Sequence, residues 1–179
     1  MRRQVLAVLA IAGFLPAPSL AQTPAPVQTV SAVDLSRYAG TWFEVARLPN
    51  RFQEDCVAHV RAAYERRTDG RIDVINRCGT SDGRTIEARG IARLADARSS
   101  AKLKVRFAPA ALSFLPFVWG DYWIIGLADD YGWAVVGSPD RKYLWILSRA
   151  PDLQADRLAA ALAIAGKNGF DASRIVFSK

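Results

Sequence analysis

The sequence predicts an all-β fold: an eight-stranded antiparallel up-and-down β-barrel with a C-terminal α-helix packed outside. Three observations carry this reading. Eight short strand-like stretches follow one another between Trp42 and Arg149, joined by short turns with no helix between them. Eight antiparallel strands in simple succession close into a barrel with room for one small ligand. Residues 102–107 alternate, with Leu103, Val105 and Phe107 on one side and Lys102, Lys104 and Arg106 on the other. That is the mark of a strand with one dry and one wet face. After the last strand, Pro151-Asp152 opens a helical pattern in which Leu153, Leu158, Leu162 and Ala165 roughly share a face.

The elements follow in order. Residues 38–48, YAGTWFEVARL, lead into the first strand. Gly40 gives the backbone freedom to swing beside a bulky neighbour. Trp42 suits a plug at one end of a closed sheet, with its indole N–H in need of a partner. Arg149, at the end of LWILSR, is placed to lie over that ring in a cation–π contact. An ordinary core Trp and a surface Arg are the alternative. Pro49-Asn50 ends the first strand. Strands 57–66 and 71–77 flank Thr68-Asp69-Gly70, a hairpin signal. A loop at 79–83, a strand at 84–94 and a turn at 96–100 lead to strand 102–107. Strands 122–127 and 133–137 enclose Asp129-Asp130-Tyr131, and Ser138-Pro139-Asp140 turns the chain into strand 143–149. Gly166 or Gly169 ends the helix, and Ile175-Val176-Phe177 suits a short further strand.

The chain's 179 residues fit one domain, and 51% hydrophobic content supports a real core. Residues 1–21 read as a secretory signal peptide: Arg2 and Arg3, an apolar stretch from Val5 to Leu15, then small residues at the cleavage positions. Residues 22–32, with two prolines and no charge between 22 and 31, read as a flexible leader, and 33–179 as the folded domain. No Cys lies near the cleavage point, so the expectation is an exported, periplasmic protein that is not a lipoprotein, either soluble or peripherally associated with the outer membrane. Two of the formal +7 charges belong to the signal arginines. The other basic residues are scattered among apolar neighbours, the pattern of a solvated strand face and not of a nucleic-acid patch. Weak attraction to anionic membranes stays open.

Gly40-Thr41-Trp42 resembles the G-x-W motif of the lipocalins, and Asp129-Asp130-Tyr131 resembles their T-D-Y motif with Asp129 in place of Thr. Arg149 sits where that family keeps a basic residue over the motif Trp. GSPDRKYLWILSR is similar to the bacterial group related to apolipoprotein D and to the plant temperature-induced lipocalins. The resemblance runs from about Val33 to Phe177. It implies the lipocalin (calycin) barrel, closed at one end by Gly40, Trp42, Asp130, Tyr131 and Arg149 and open at the other. It further implies binding of fatty acids, lysophospholipids or similar apolar molecules. Outer-membrane members usually carry a lipid-modified N-terminal Cys; this chain has none there, so that anchor is not carried over.

With Trp42 at the closed end, the loops at 49–56, 78–84, 108–119 and 137–142 gather at the mouth. Cys56 and Cys78 fall there and favour a disulfide in an oxidising setting, although they are a few residues out of register; two unpaired thiols are the alternative. Parity turns Tyr143, Trp145 and Leu147 inward, puts Leu103, Val105 and Phe107 on another wall, and leaves space at Ala88, Gly90 and Ala92. Tyr64 and Asn76 are candidates to orient a head group, or else satisfied interior residues. Glu44 lies on the Trp42 face, either as a general acid or paired with an Arg. The loop 108–119, APAALSFLPFVW, is uncharged and carries Leu112, Phe114, Leu115, Phe117 and Trp119. It is read as a lid, as a membrane-dipping anchor, or as a loop that only packs on its neighbours; the similar loop of the plant relatives suggests membrane contact.

No metal-spaced cluster, phosphate loop or nucleophile motif is present, so no cofactor, no metal and no catalytic residue is expected. The expected partner is a small hydrophobic ligand, bound, stored or transported in the cell envelope, and an apolar mouth also suits a homodimer. The alternatives are a barrel enzyme acting on an isoprenoid or lipid, and a protein-binding module using the mouth loops.

Overall fold

The computed structural model describes residues 25–178; the expected signal peptide lies outside them. Eight strands run in succession, β1 (Gly40–Arg47), β2 (Ala58–Arg66), β3 (Ile72–Gly79), β4 (Thr85–Asp96), β5 (Ser99–Arg106), β6 (Gly120–Leu127), β7 (Trp133–Gly137) and β8 (Leu144–Ser148). Each pairs antiparallel with the next, and β1 pairs with both β2 and β8, which closes the barrel. A short helix α1 (Leu35–Tyr38) precedes β1, the helix α2 (Ala155–Lys167) follows β8, and β9 (Val176–Phe177) adds to β1 at Ala46 and Arg47. The expected architecture is present, with the extra strand.

Two cores explain the two kinds of strand. Trp42, Tyr64, Val74, Leu103, Ile124, Val136 and Leu147 fill the barrel. Ile125, Val135, Ile146, Ala161, Ala165 and Phe170 form a second core between the outer wall and α2. β6, β7 and β8 are therefore covered on both faces along much of their length, and all five residues of β7 are buried. Gly137 lets Phe170 approach the wall: a Cβ there would come within 2.5 Å of Phe170 Cζ. The strand 99–106 keeps its wet outer face except at one place. Arg106, expected in solvent, is only 5% exposed, because Trp119 folds back onto the outer wall, its ring beneath the guanidinium groups of Arg93 at 4.4 Å and Arg106 at 5.2 Å.

A bulge at Val45 changes which side of β1 is which. Glu44 pairs with Leu147 and Ala46 with Ile146, so Glu44 stays on the interior side while Ala46 and Leu48 join the core under α2. A second irregularity near His59 in β2, where φ is +53°, pairs Ala58 with Gly79.

The stretch 25–32, expected as a flexible leader, is tied to the barrel instead. Val27 is 5% exposed within the outer core, Val30 N–H donates to Ile124 O at 3.0 Å, and Gln28 N–H donates to Asn168 Oδ1 at 2.7 Å. Burial of valines spaced along an uncharged segment outweighs Pro26.

Candidate functional site

The closed end is built on Trp42, which is fully buried. The Arg149 guanidinium lies 3.8 Å from its ring centroid. Arg149 also donates to four backbone carbonyls: Thr41 at 2.9 Å, Arg37 at 2.7 Å, Tyr38 at 3.0 Å and Ala39 at 2.8 Å. Trp42 Nε1–H donates to Tyr38 O at 2.8 Å. One cation thus gathers the carbonyls left open where α1 passes into β1. Gly40 has φ +98°, and a Cβ there would stand 3.2 Å from Arg149 Nη1, so both conformation and space select glycine.

Asp130 and Tyr131 tie the same end together. Asp130 accepts from Gly132 N–H at 2.8 Å and pairs with Arg157 of α2 at 3.0 Å; these contacts, the backbone N–H first, hold its carboxyl below the ordinary value. Tyr131 lies under the Arg37 guanidinium at 3.9 Å, and its hydroxyl accepts from Asp34 N–H at 2.9 Å.

Above this plug stand three tyrosines. The Tyr122 hydroxyl is 2.8 Å from that of Tyr38 and 2.9 Å from that of Tyr64. Burial raises all three phenols, Tyr64 to about 12 and the other two well above their usual value. Of the three, only Tyr64 is anticipated as a polar interior group. Tyr122 was legible through its shared parity with Ile124, and Tyr38 through its place four residues before Trp42. The space they border is about 10 Å³, so this half of the barrel is nearly filled.

The other half carries a polar network. Glu44 accepts from Arg47 Nη1 at 2.9 Å, Ser178 Oγ at 2.6 Å and Gln53 Nε2 at 2.6 Å. Gln53 Oε1 in turn accepts from Trp145 Nε1 at 2.8 Å and Asn50 Nδ2 at 2.8 Å. Arg47 Nε is buried with no partner among the described residues. A carboxylate holding three donors, one a guanidinium, is an acceptor that fixes the loop 48–57, and the pairing alternative for Glu44 fits it. Tyr143 stacks on Trp145 with 5.9 Å between centroids, and Phe52 continues the stack to the rim, where it is 65% exposed. Asn76 and Ala88 face each other across β3 and β4 and are half-buried. The space expected beside Gly90 is taken by Phe107, whose Cδ1 would lie 2.7 Å from an added Cβ. Leu103 is buried and Val105 half-buried on the inner wall. A separate groove of about 290 Å³ lies among Thr41, Phe43, Arg61, Ala63, Ile75 and Arg77, residues alternating with the interior set and so on the outer wall.

Cys56 and Cys78 form a disulfide with Cα atoms 5.4 Å apart. The irregularity at His59 and the Val57 N–H bond to Gly79 O at 2.9 Å supply the curl that simple register lacks. Replacing both by serine is expected to cost about 3–3.5 kcal/mol, the loop-closure value for a separation of 22 residues, and denaturant midpoints compared with and without reductant check it.

The loop 108–119 makes two short turns, Ala110–Leu112 and Pro116–Val118. Trp119 Nε1–H donates to Ser113 O at 2.8 Å, and Leu115 and Trp119 are half-buried. Phe114 and Phe117 are 77% and 80% exposed, and Leu112 is also exposed.

A family model for a lipocalin-like domain matches residues 33–179. The chain is 38% identical to temperature-induced lipocalin-1 of Arabidopsis thaliana over 151 residues, 83% of this chain and 80% of that protein. It is 38% identical to the outer membrane lipoprotein Blc of Escherichia coli K12 over 179 residues, 99% and 97% of the two chains. It is 30% identical to mouse apolipoprotein D over 151 residues, 79% and 74%. Among solved structures it is similar to insecticyanin from the tobacco hornworm Manduca sexta, with TM-score 0.66 and 21% identity over 86% of this chain and 84% of that one. The barrel, its Trp42–Arg149 closure and these relatives lead to one conclusion: the chain belongs to the lipocalin family.

Proposed function

We propose that this protein binds small hydrophobic ligands of the fatty acid and lysophospholipid class and stores or carries them in the cell envelope, docking at a membrane through residues 108–119. The observation that carries the reading is the asymmetry of the barrel. One end is sealed by Trp42 and Arg149. At the other, Tyr143, Trp145, Asn76, Ala88 and Val105 are inward yet only half-buried, so an entering chain meets aromatic and apolar wall. Kinship with an outer membrane lipoprotein and with apolipoprotein D supports both the ligand class and the envelope location. The enzyme alternative draws no support from Glu44, which already accepts from Arg47, Gln53 and Ser178, or from Cys56, whose sulfur is in the disulfide.

Native mass spectrometry with lipid extraction, on protein purified from the exported fraction, tests the carrier reading. A stoichiometric acyl ligand released unchanged is expected. An empty barrel that also ignores added fatty acid and lysophospholipid sinks it and leaves a protein partner as the target. The docking part has its own test. Two exposed phenylalanines each contribute about 1.5–3 kcal/mol when fully transferred out of water. Phe114→Ser with Phe117→Ser is therefore expected to weaken binding to anionic vesicles at least about tenfold. Equal flotation of both proteins ends the membrane reading.

A further inference from the structure

The floor of the barrel holds more hydrogen-bond donors than it uses. Tyr38, Tyr64 and Tyr122 converge beside Trp42, the Tyr38 ring centroid 4.9 Å from that of Trp42. Three phenols bring three O–H donors, and a row of three hydroxyls makes only two bonds within itself. Among the described residues these hydroxyls make no other hydrogen bond. One O–H is therefore left over however the protons are arranged, and a buried donor without a partner is costly. The three rings also border the small space noted above, about 10 Å³, whose remaining walls are apolar, including Ala92, Leu103 and Val105. That is room for one water-sized group.

We infer that this cluster is a hydrogen-bond site for a neutral oxygen at the leading end of an apolar ligand, a terminal hydroxyl or carbonyl carried down the barrel by the chain or ring behind it. The inference rests on the reading of the barrel as a lipid-binding site. A bare methyl end leaves the surplus O–H unpaired, whereas a ligand oxygen accepts it, and a hydroxyl also donates back to a tyrosine oxygen. The oxygen is neutral because the lining of the space holds no cation. The same burial that raises the three phenols opposes any other anion placed among them. The ligand class singled out is thus one with polarity at both ends: a head group at the mouth and an oxygen at the tip, as in an ω-hydroxylated acyl chain or a hydroxyl- or keto-bearing ring.

Matched pairs of n-alkanoic and ω-hydroxyalkanoic acids, from decanoic to octadecanoic, titrated calorimetrically into the purified protein, decide it. In a purely apolar pocket the added hydroxyl weakens binding at every length, because its hydration is lost without return. Here the hydroxylated acid is expected to bind about tenfold tighter than its partner at the length that reaches the floor. The triple variant Tyr38→Phe, Tyr64→Phe, Tyr122→Phe keeps the ring shapes, removes every donor and is expected to reverse that ratio. A plain acid that binds tighter at all lengths overturns the inference while the carrier reading stands, and it assigns the space to a trapped water. Failure of both acids at all lengths overturns the two together. The comparison of ligands on the unaltered protein needs no variant to fold.

Discussion

Replacing Trp42 by alanine is expected to lower stability by about 3–5 kcal/mol, the usual cost of deleting a large buried aromatic. At roughly 2–4 °C per kcal/mol for a chain of this size, the thermal midpoint falls by about 6–20 °C. The ring is fully buried, stacked under Arg149 at 3.8 Å and packed against Tyr38 at 4.9 Å. Its removal opens a void and also takes away the surface on which the guanidinium rests. Arg149 then keeps its four carbonyl bonds without the aromatic support that orients them. Trp42→Phe is expected to cost less than half as much, since it retains a ring and loses chiefly the N–H bond to Tyr38 O. Arg149→Met tests the other partner, and combining it with Trp42→Ala is expected to be less than additive, because the two side chains share one contact. An unfolding free energy from denaturant titration that stays within about 1 kcal/mol of the parent for Trp42→Ala would mean that the closed end is held by something other than this stack.

The barrel was legible because its signals are local. Alternation at 102–107 and the Asp-Gly hairpin at 69–70 depend on neighbours in sequence, and both recur in the structure, except that β5 ends at Arg106 and Phe107, expected on the inner wall, is 43% exposed. The stack of Arg149 on Trp42 joins residues far apart; the residues alone left an ordinary core Trp and a surface Arg open, and the resemblance of motifs favoured the stack. The interior was harder to read, for specific reasons. A bulge at Val45 shifts β1 by one residue, and nothing in GTWFEVAR announces it. Arg106 alternates correctly yet is buried, because Trp119 returns over the wall from another segment. The gap beside Gly90 looked like ligand space; it accommodates Phe107, a partner the hydrophobic pattern places on the same wall but not over that glycine. Glu44 gathers Gln53 from a loop and Ser178 from the end of the chain, a convergence that follows only once β9 has docked on β1. The ligand roles assigned to Asn76, Ala88, Tyr143 and Trp145 remain proposals about an open mouth. Tyr64 has gained two companions that turn it from a lone polar group into a cluster.

That cluster leads to the second large effect: the barrel is expected to lose stability steeply as the pH rises from about 10 toward 12. Below about 10 the phenols are protonated in both folded and unfolded chain, so they add no pH dependence there. Above it the unfolded chain releases these protons while the folded barrel holds them. Burial raises the Tyr64 phenol to about 12 and keeps Tyr38 and Tyr122 well above their ordinary value. The unfolded state then binds fewer protons than the folded one, and stability falls with pH by up to about 1.4 kcal/mol per unit for each tyrosine. Three acting together give roughly 4 kcal/mol per unit, enough to exhaust an ordinary domain's 5–15 kcal/mol within a few units. Phenolate absorbance of the cluster is accordingly expected to appear with unfolding and not before it. Denaturant midpoints followed through this range, beside those of the triple Tyr→Phe variant, separate the cluster from every other group that titrates in base. The variant is expected to decline more gently, and parallel curves for the two proteins would mean that these three hydroxyls ionise in the folded barrel as freely as they do in the unfolded chain.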